Sequence, residues 1–166
     1  MAIAVPRTWV VGEVVTAAIQ NAEIRDQFLD LIAGGTAYTV AWTSTGTAPA
    51  TNNGTLTGRY KLVGKMCDAT IKFTAGTTTA YGTGNWMFSL PFAASSSADW
   101  VGRAFAGDLS VGAAGYSQGT AYVAASSTTA GPYFGNTAGA QNATATVPQT
   151  WANGDRLWIT IRYETA

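Results

Sequence analysis

From Thr36 to Glu164 the apolar residues recur at every second position, in short runs broken by Gly, Ser, Asn and Pro. That period belongs to strands, and the breaks are too frequent for any long interior helix. Tyr38, Val40 and Trp42 alternate with polar or small residues, and the loop over 44–54 then closes on an Asn53-Gly54 turn signal. Two strands, 55–64 and 66–74, follow around Gly64-Lys65. In the second, Cys67, Ala69, Ile71 and Phe73 take one face, while Asp68, Thr70 and Lys72 take the solvent face. Further strands are expected at 85–90, stopped by Pro91, at 100–105, at 120–125, and at 143–147, stopped by Pro148. After the turn Trp151-Ala-Asn-Gly-Asp155, the segment 156–164 sets Leu157, Ile159, Ile161 and Tyr163 against Trp158, Thr160 and Arg162. About eight short strands at this spacing predict a mainly β chain, with a jelly-roll-like β-sandwich as the leading architecture. The segments 106–119 and 126–139, made mostly of Gly, Ala, Ser and Thr, are read as surface or partner-facing loops.

The first 35 residues obey a different rule. Residues 5–15 form a β-prone run with Pro6 near its start and Gly12 in the middle, which predicts an extended arm. Thr16 is a helix cap, the segment 17–33 lacks Gly and Pro, and Gly34-Gly35 ends it, so one short α-helix is expected. Ala17, Asn21, Ile24, Phe28 and Leu31 stand four and three apart, the spacing of a two-heptad a/d seam. Such a stripe either lies on the chain's own β domain or joins copies in a short parallel bundle, where Asn21 would fix register. The division expected is 1–35 for an attachment arm and trimerisation helix, and 36–166 for the β domain.

Nine basic and nine acidic residues cancel, and only 11% of residues are charged, so no basic patch for phosphates is expected and nucleic acid is not a predicted partner. With no histidine and a single cysteine, Cys67, the chain can build neither a Cys/His zinc site nor histidine-based acid–base catalysis nor an internal disulfide. Cys67 itself lies on the apolar face of its strand, where an inert buried thiol is expected. Nothing in the spacing of Asp68, Asp99, Asp108, Asp155 and Glu164 puts two carboxylates on one wall. No catalytic residue, metal or cofactor is therefore predicted. The opening Met1-Ala-Ile-Ala-Val-Pro lacks the form of a signal peptide, and no apolar run approaches the length of a membrane span, so no membrane partner is expected. So little charge and no net charge protect poorly against association, which points to a subunit whose surface is committed to neighbours. A carbohydrate-binding module is the other class to weigh, with Trp86, Trp100, Trp151 and Trp158 as candidate stacking rings and Asn153 or Asp155 as partners for hydroxyls; Trp100, Trp151 and Asp155 are the contacts expected.

The opening Pro6-Arg7-Thr8-Trp9-Val10-Val11-Gly12-Glu13-Val14-Val15-Thr16-Ala17-Ala18, with Asn21 and Ile24-Arg25-Asp26-Gln27-Phe28, resembles the N-terminal attachment motif of small virion proteins of tailed phages, particularly those of actinobacteria. Leu56-Thr-Gly-Arg-Tyr60, the run 61–68, Tyr81-Gly-Thr-Gly-Asn-Trp86-Met-Phe-Ser-Leu-Pro91 and Trp151-Ala-Asn-Gly-Asp155 are similar to the jelly-roll head that follows it. The resemblance implies a TNF-like homotrimer made in the host cytoplasm and displayed on the virion surface. It would be a decoration or head fibre on the capsid exterior, the favoured placement, or a minor tail or tail-fibre protein for host attachment. Its partners would be the major capsid protein or tail proteins, and possession of a host-surface glycan ligand fits either site. Arg7, Trp9, Glu13 and Val14 are the expected attachment residues, and Asn21, Ile24, Phe28 and Leu31 the expected trimerisation residues.

Overall fold

A computed structural model describes residues 6–136 and 139–166; the expected arm residues 1–5, and 137–138 of the expected loop over 126–139, lie outside the described residues. The helical segment comes first, as α1 (Ala17–Gln20), a π-helical turn (Asn21–Arg25) and α2 (Asp26–Ile32). Ten strands follow: β1 (Thr36–Tyr38), β2 (Trp42–Ser44), β3 (Thr55–Val63), β4 (Met66–Thr74), β5 (Trp86–Ser89), β6 (Trp100–Gly107), β7 (Tyr116–Val123), β8 (Thr129–Asn136), β9 (Gly139–Asn142) and β10 (Arg156–Glu164). All pair antiparallel in the order β1-β3-β4-β10-β6-β7-β8-β5-β2, with β9 added on β8. The eight-strand sandwich expected from the sequence is thus realised as one curled antiparallel sheet.

The strongest alternations fold as read. Cys67, Ala69, Ile71 and Phe73 of β4, and Leu157, Ile159, Ile161 and Tyr163 of β10, are all buried, and the register Phe73↔Leu157 through Cys67↔Tyr163 puts them side by side. Over this floor lie Trp42 and Trp86, at 4.7 Å from each other, with Phe73 at 4.7 Å from Trp42 and Trp151 at 5.1 Å from Trp86. Edge-on and tilted packing of this kind adds to the burial of each ring.

Four expectations need correction. The single strand over 38–42 is two strands at opposite ends of the sheet order. Between them the chain crosses from the β3 edge to the β5 edge, where Ala41 and Ser89 exchange hydrogen bonds (Ala41 N to Ser89 Oγ, 2.8 Å; Ser89 N to Ala41 O, 2.9 Å). The supposed loop over 126–139 contains β8, and the one over 106–119 contains the start of β7, so only 108–115 connects β6 to β7. The strand expected over 143–147 is a turn instead: Thr144 N donates to Val147 O at 3.2 Å and Thr146 N to the Thr144 hydroxyl at 3.2 Å, a local side-chain turn that outcompetes a ladder. Lastly, the arm folds back. Glu13 N donates to Val10 O at 3.1 Å across Gly12, whose φ of +84° is what the third position of a type II turn requires.

Candidate functional site

The N-terminal segment holds most of the exposed large hydrophobic residues. Thr16 caps α1 as expected, its hydroxyl accepting from Ile19 N at 3.3 Å. Asp26 N reaches back five residues to Asn21 O, which makes the π turn. One such turn holds an extra residue, so every side chain beyond it is rotated by roughly 100° from its place in an unbroken α-helix. The heptad seam read from the sequence is therefore interrupted. Ala17 and Asn21 do not line up with Phe28 and Leu31; Leu29 and Ile32, one residue further on, continue their stripe. Phe28, Leu29, Leu31 and Ile32 together form a broad face, and no residue of α1, the π turn or α2 is buried.

The helix does not lie on its own β domain along its length. Its C-terminal end is tied to β3: Lys61 Nζ donates to Asp30 O and, just past the helix, the Arg59 guanidinium to Gly35 O, with a cavity of about 310 Å³ between Asp30, Ala33 and the β3 residues Tyr60 and Leu62.

Ahead of the helix, three of the four expected attachment residues come together. Arg7 pairs with Glu13, and its guanidinium carbon stands 5.1 Å from the centre of the Trp9 ring. Val10 N and Glu13 Oε2 stand 3.4 Å apart, and Arg7 N donates to Glu23 at 3.3 Å, which links the arm to the helix. Val14, the fourth, is exposed to solvent. Beyond the residues chosen from the sequence, Val10, Val11 and Val15 are also exposed, Val11 completely. Their signal was an apolar run with no alternation, which a surface loop has no reason to carry.

The three glycan candidates fare differently. Trp151 is buried, and its indole N–H donates to Thr144 O at 2.9 Å. Asp155 is only 1% exposed and accepts from Leu109 N (3.0 Å), Gln149 Nε2 (3.1 Å) and Ala152 N (2.8 Å). Both are framework groups of the turn before β10, and their burial corrects their assignment as ligand contacts. Trp100, at the start of β6, is half-buried against the core. Cys67 is fully buried, and burial foremost pushes its thiol up, against a lowering hydrogen bond from Tyr163, so it is a packing residue. Among the described residues no group of three or more His, Cys, Asp or Glu side chains converges as a metal site would, and no helix is long and apolar enough to cross a membrane.

No family model and no solved structure matches the chain. A curated relative does: the Mu-like prophage FluMu defective tail fiber protein of Haemophilus influenzae is 36% identical over 115 residues. The chain spans only 17% of that protein's length. The match covers 68% of this chain, which is thereby similar, over most of its length, to one stretch of a prophage tail fibre protein.

Proposed function

We propose that the chain is a non-enzymatic structural component of a phage virion and serves as part of a tail fibre. In this reading the curled sheet is a jelly-roll-like head displayed outward. The helix face of Ile24, Phe28, Leu29, Leu31 and Ile32 joins copies around a threefold axis, with Asn21 beside it, and the cluster of Arg7, Trp9 and Glu13 with Val14 fastens the trimer to its neighbour on the virion. The observation that carries the reading is the apolar surface of residues 9–32. Ten large hydrophobics there are more than a third exposed: Trp9, Val10, Val11, Val14 and Val15 in the arm, the other five on the helix. Soluble monomers rarely leave so much contiguous apolar surface in water. Similarity to a tail fibre protein favours the tail over the capsid exterior, which the sequence alone had favoured.

Immunogold electron microscopy of the parent virion, with antibody raised to the purified chain, tests the placement. Label on the tail is the expected result. Label spread over the capsid lattice would make the chain a decoration protein, and particles without label would end the virion reading.

A further inference from the structure

The outward face of β10, β6 and β7 carries a cavity of about 630 Å³, within the roughly 300–1,000 Å³ typical of small-molecule sites. Its residues are placed by strand register. One cross-strand row runs Trp158, Phe105, Gln118; the next runs Thr160, Arg103, Thr120. The rings touch in series: Phe105 lies 5.8 Å from Trp158, tilted by 50°, and is stacked 5.2 Å from Tyr116. Aromatic rings on the solvent side of a strand do not serve the core, which is filled from the opposite face by Ala104, Ala106, Leu157 and Ile159.

The polar groups around these rings are unspent. Among the described residues, the side chains of Arg103, Gln118, Thr120 and Thr160 have no hydrogen-bond or ion-pair partner. Arg156, two residues before Trp158 on the same face, has its Nε buried without a partner. Of the charges nearest Arg103, Lys72 lies across from Trp158, and Asp68, which lines an adjoining hollow with Arg103, is opposed by Arg162 at 3.8 Å. Asp108, just past Gly107, is engaged by Ser110 through its N–H at 2.9 Å and its hydroxyl at 2.6 Å.

We infer that this face is a binding site for an acidic saccharide, a pyranose bearing a carboxylate. The C–H face of the sugar ring would pack on Trp158 and Phe105, Arg103 would take the carboxylate in a charge-assisted fork, and Gln118, Thr120 and Thr160 would meet ring hydroxyls. The inference rests on the tail-fibre reading and deepens it by naming what the displayed head would hold. It also moves the expected glycan contact from Trp151 and Asp155 to a face that is open to solvent.

The test is isothermal titration of the purified full chain with a uronate trisaccharide and with a neutral hexose trisaccharide. The uronate is expected to bind at least about tenfold more tightly, and Arg103→Ala to remove about tenfold of its affinity with an unchanged melting temperature. Trp158→Ala should abolish binding; because that ring is half-buried, Arg103→Ala carries the decision if Trp158→Ala misfolds. Lys65→Ala, in the remote β3–β4 turn, should bind as the parent does. The site is overturned if neither saccharide binds, if both bind equally, if Arg103→Ala binds normally, or if Lys65→Ala loses as much. A chain that labels tails but fails here overturns only this site, and one that binds uronate but is absent from tails overturns only the tail-fibre reading.

Discussion

Phe28→Asp separates a helix that joins copies from one that merely stands in water. Fully burying a phenylalanine side chain is worth about 1.5–3 kcal/mol. Phe28 is 62% exposed in the isolated chain, so about 1–2 kcal/mol per chain, or roughly 3–6 kcal/mol per trimer, remains to be gained by association. At about 1.4 kcal/mol per factor of ten, its loss weakens trimer formation by roughly 10²- to 10⁴-fold, and an unpaired carboxylate in the seam adds to that. Within one chain Phe28 is a mostly exposed helix residue, so the same substitution should alter folding stability by no more than about 0.5 kcal/mol. Sedimentation velocity at micromolar concentration, with a thermal melt of the dissociated chain, reads both quantities. A Phe28→Asp trimer that dissociates like the parent would refute the seam. A parent chain that sediments as a monomer would remove the premise.

Leu29→Asp should weaken the trimer as much as Phe28→Asp does, because the π turn brings Leu29 into the stripe; in an unbroken heptad it would be nearly silent, and the same sedimentation assay distinguishes the two. Asp155→Asn leaves at least one buried N–H facing an amide that cannot accept from it, a loss of about 1–3 kcal/mol readable as a lower urea midpoint with little change in slope. Cys67 should resist maleimide in native buffer and react only on unfolding; rapid labelling of the folded chain would contradict its burial. The Asp99 carboxylate, accepting from Ala125 N and the Tyr122 hydroxyl, is held below its usual range. Its contribution is thus present at neutral pH and fades as pH falls through the lowered value, so Asp99→Asn should flatten the acid limb of stability against pH, checked by melts between neutrality and strong acid.

The elements legible in the sequence were those whose alternation is uninterrupted. β4 and β10 can be read residue by residue because every inward position is apolar. β8 could not be, since Thr-Ala-Gly-Pro-Tyr-Phe-Gly-Asn contains a proline that argues against an inner strand. The structure shows why Pro132 is tolerated: its carbonyl accepts from Ala143 N at 2.7 Å, so its backbone groups face the side where β5 gives way to β9, and no rung to β7 is lost. The helix was legible in its start and extent but not in its face, because a π turn leaves no mark on apolar spacing. Among the tryptophans, Trp158 falls on the polar side of β10 by parity alone. Trp151 sits in a turn where parity says nothing, and only the packing against Trp86 and Phe73 reveals its burial.

The outermost strands are short: three residues each in β1 and β2, four in β9. Were copies packed as the tail-fibre reading proposes, heads with so little charge, seven basic and five acidic residues over 36–166, would be crowded enough for one long bare edge to recruit the next head rung by rung into an aggregate. Edges this brief offer too few backbone groups for that growth to take hold. In the proposed assembly, crowded heads would thereby be left to join through their N-terminal segments, by side-chain contacts rather than by indiscriminate main-chain pairing.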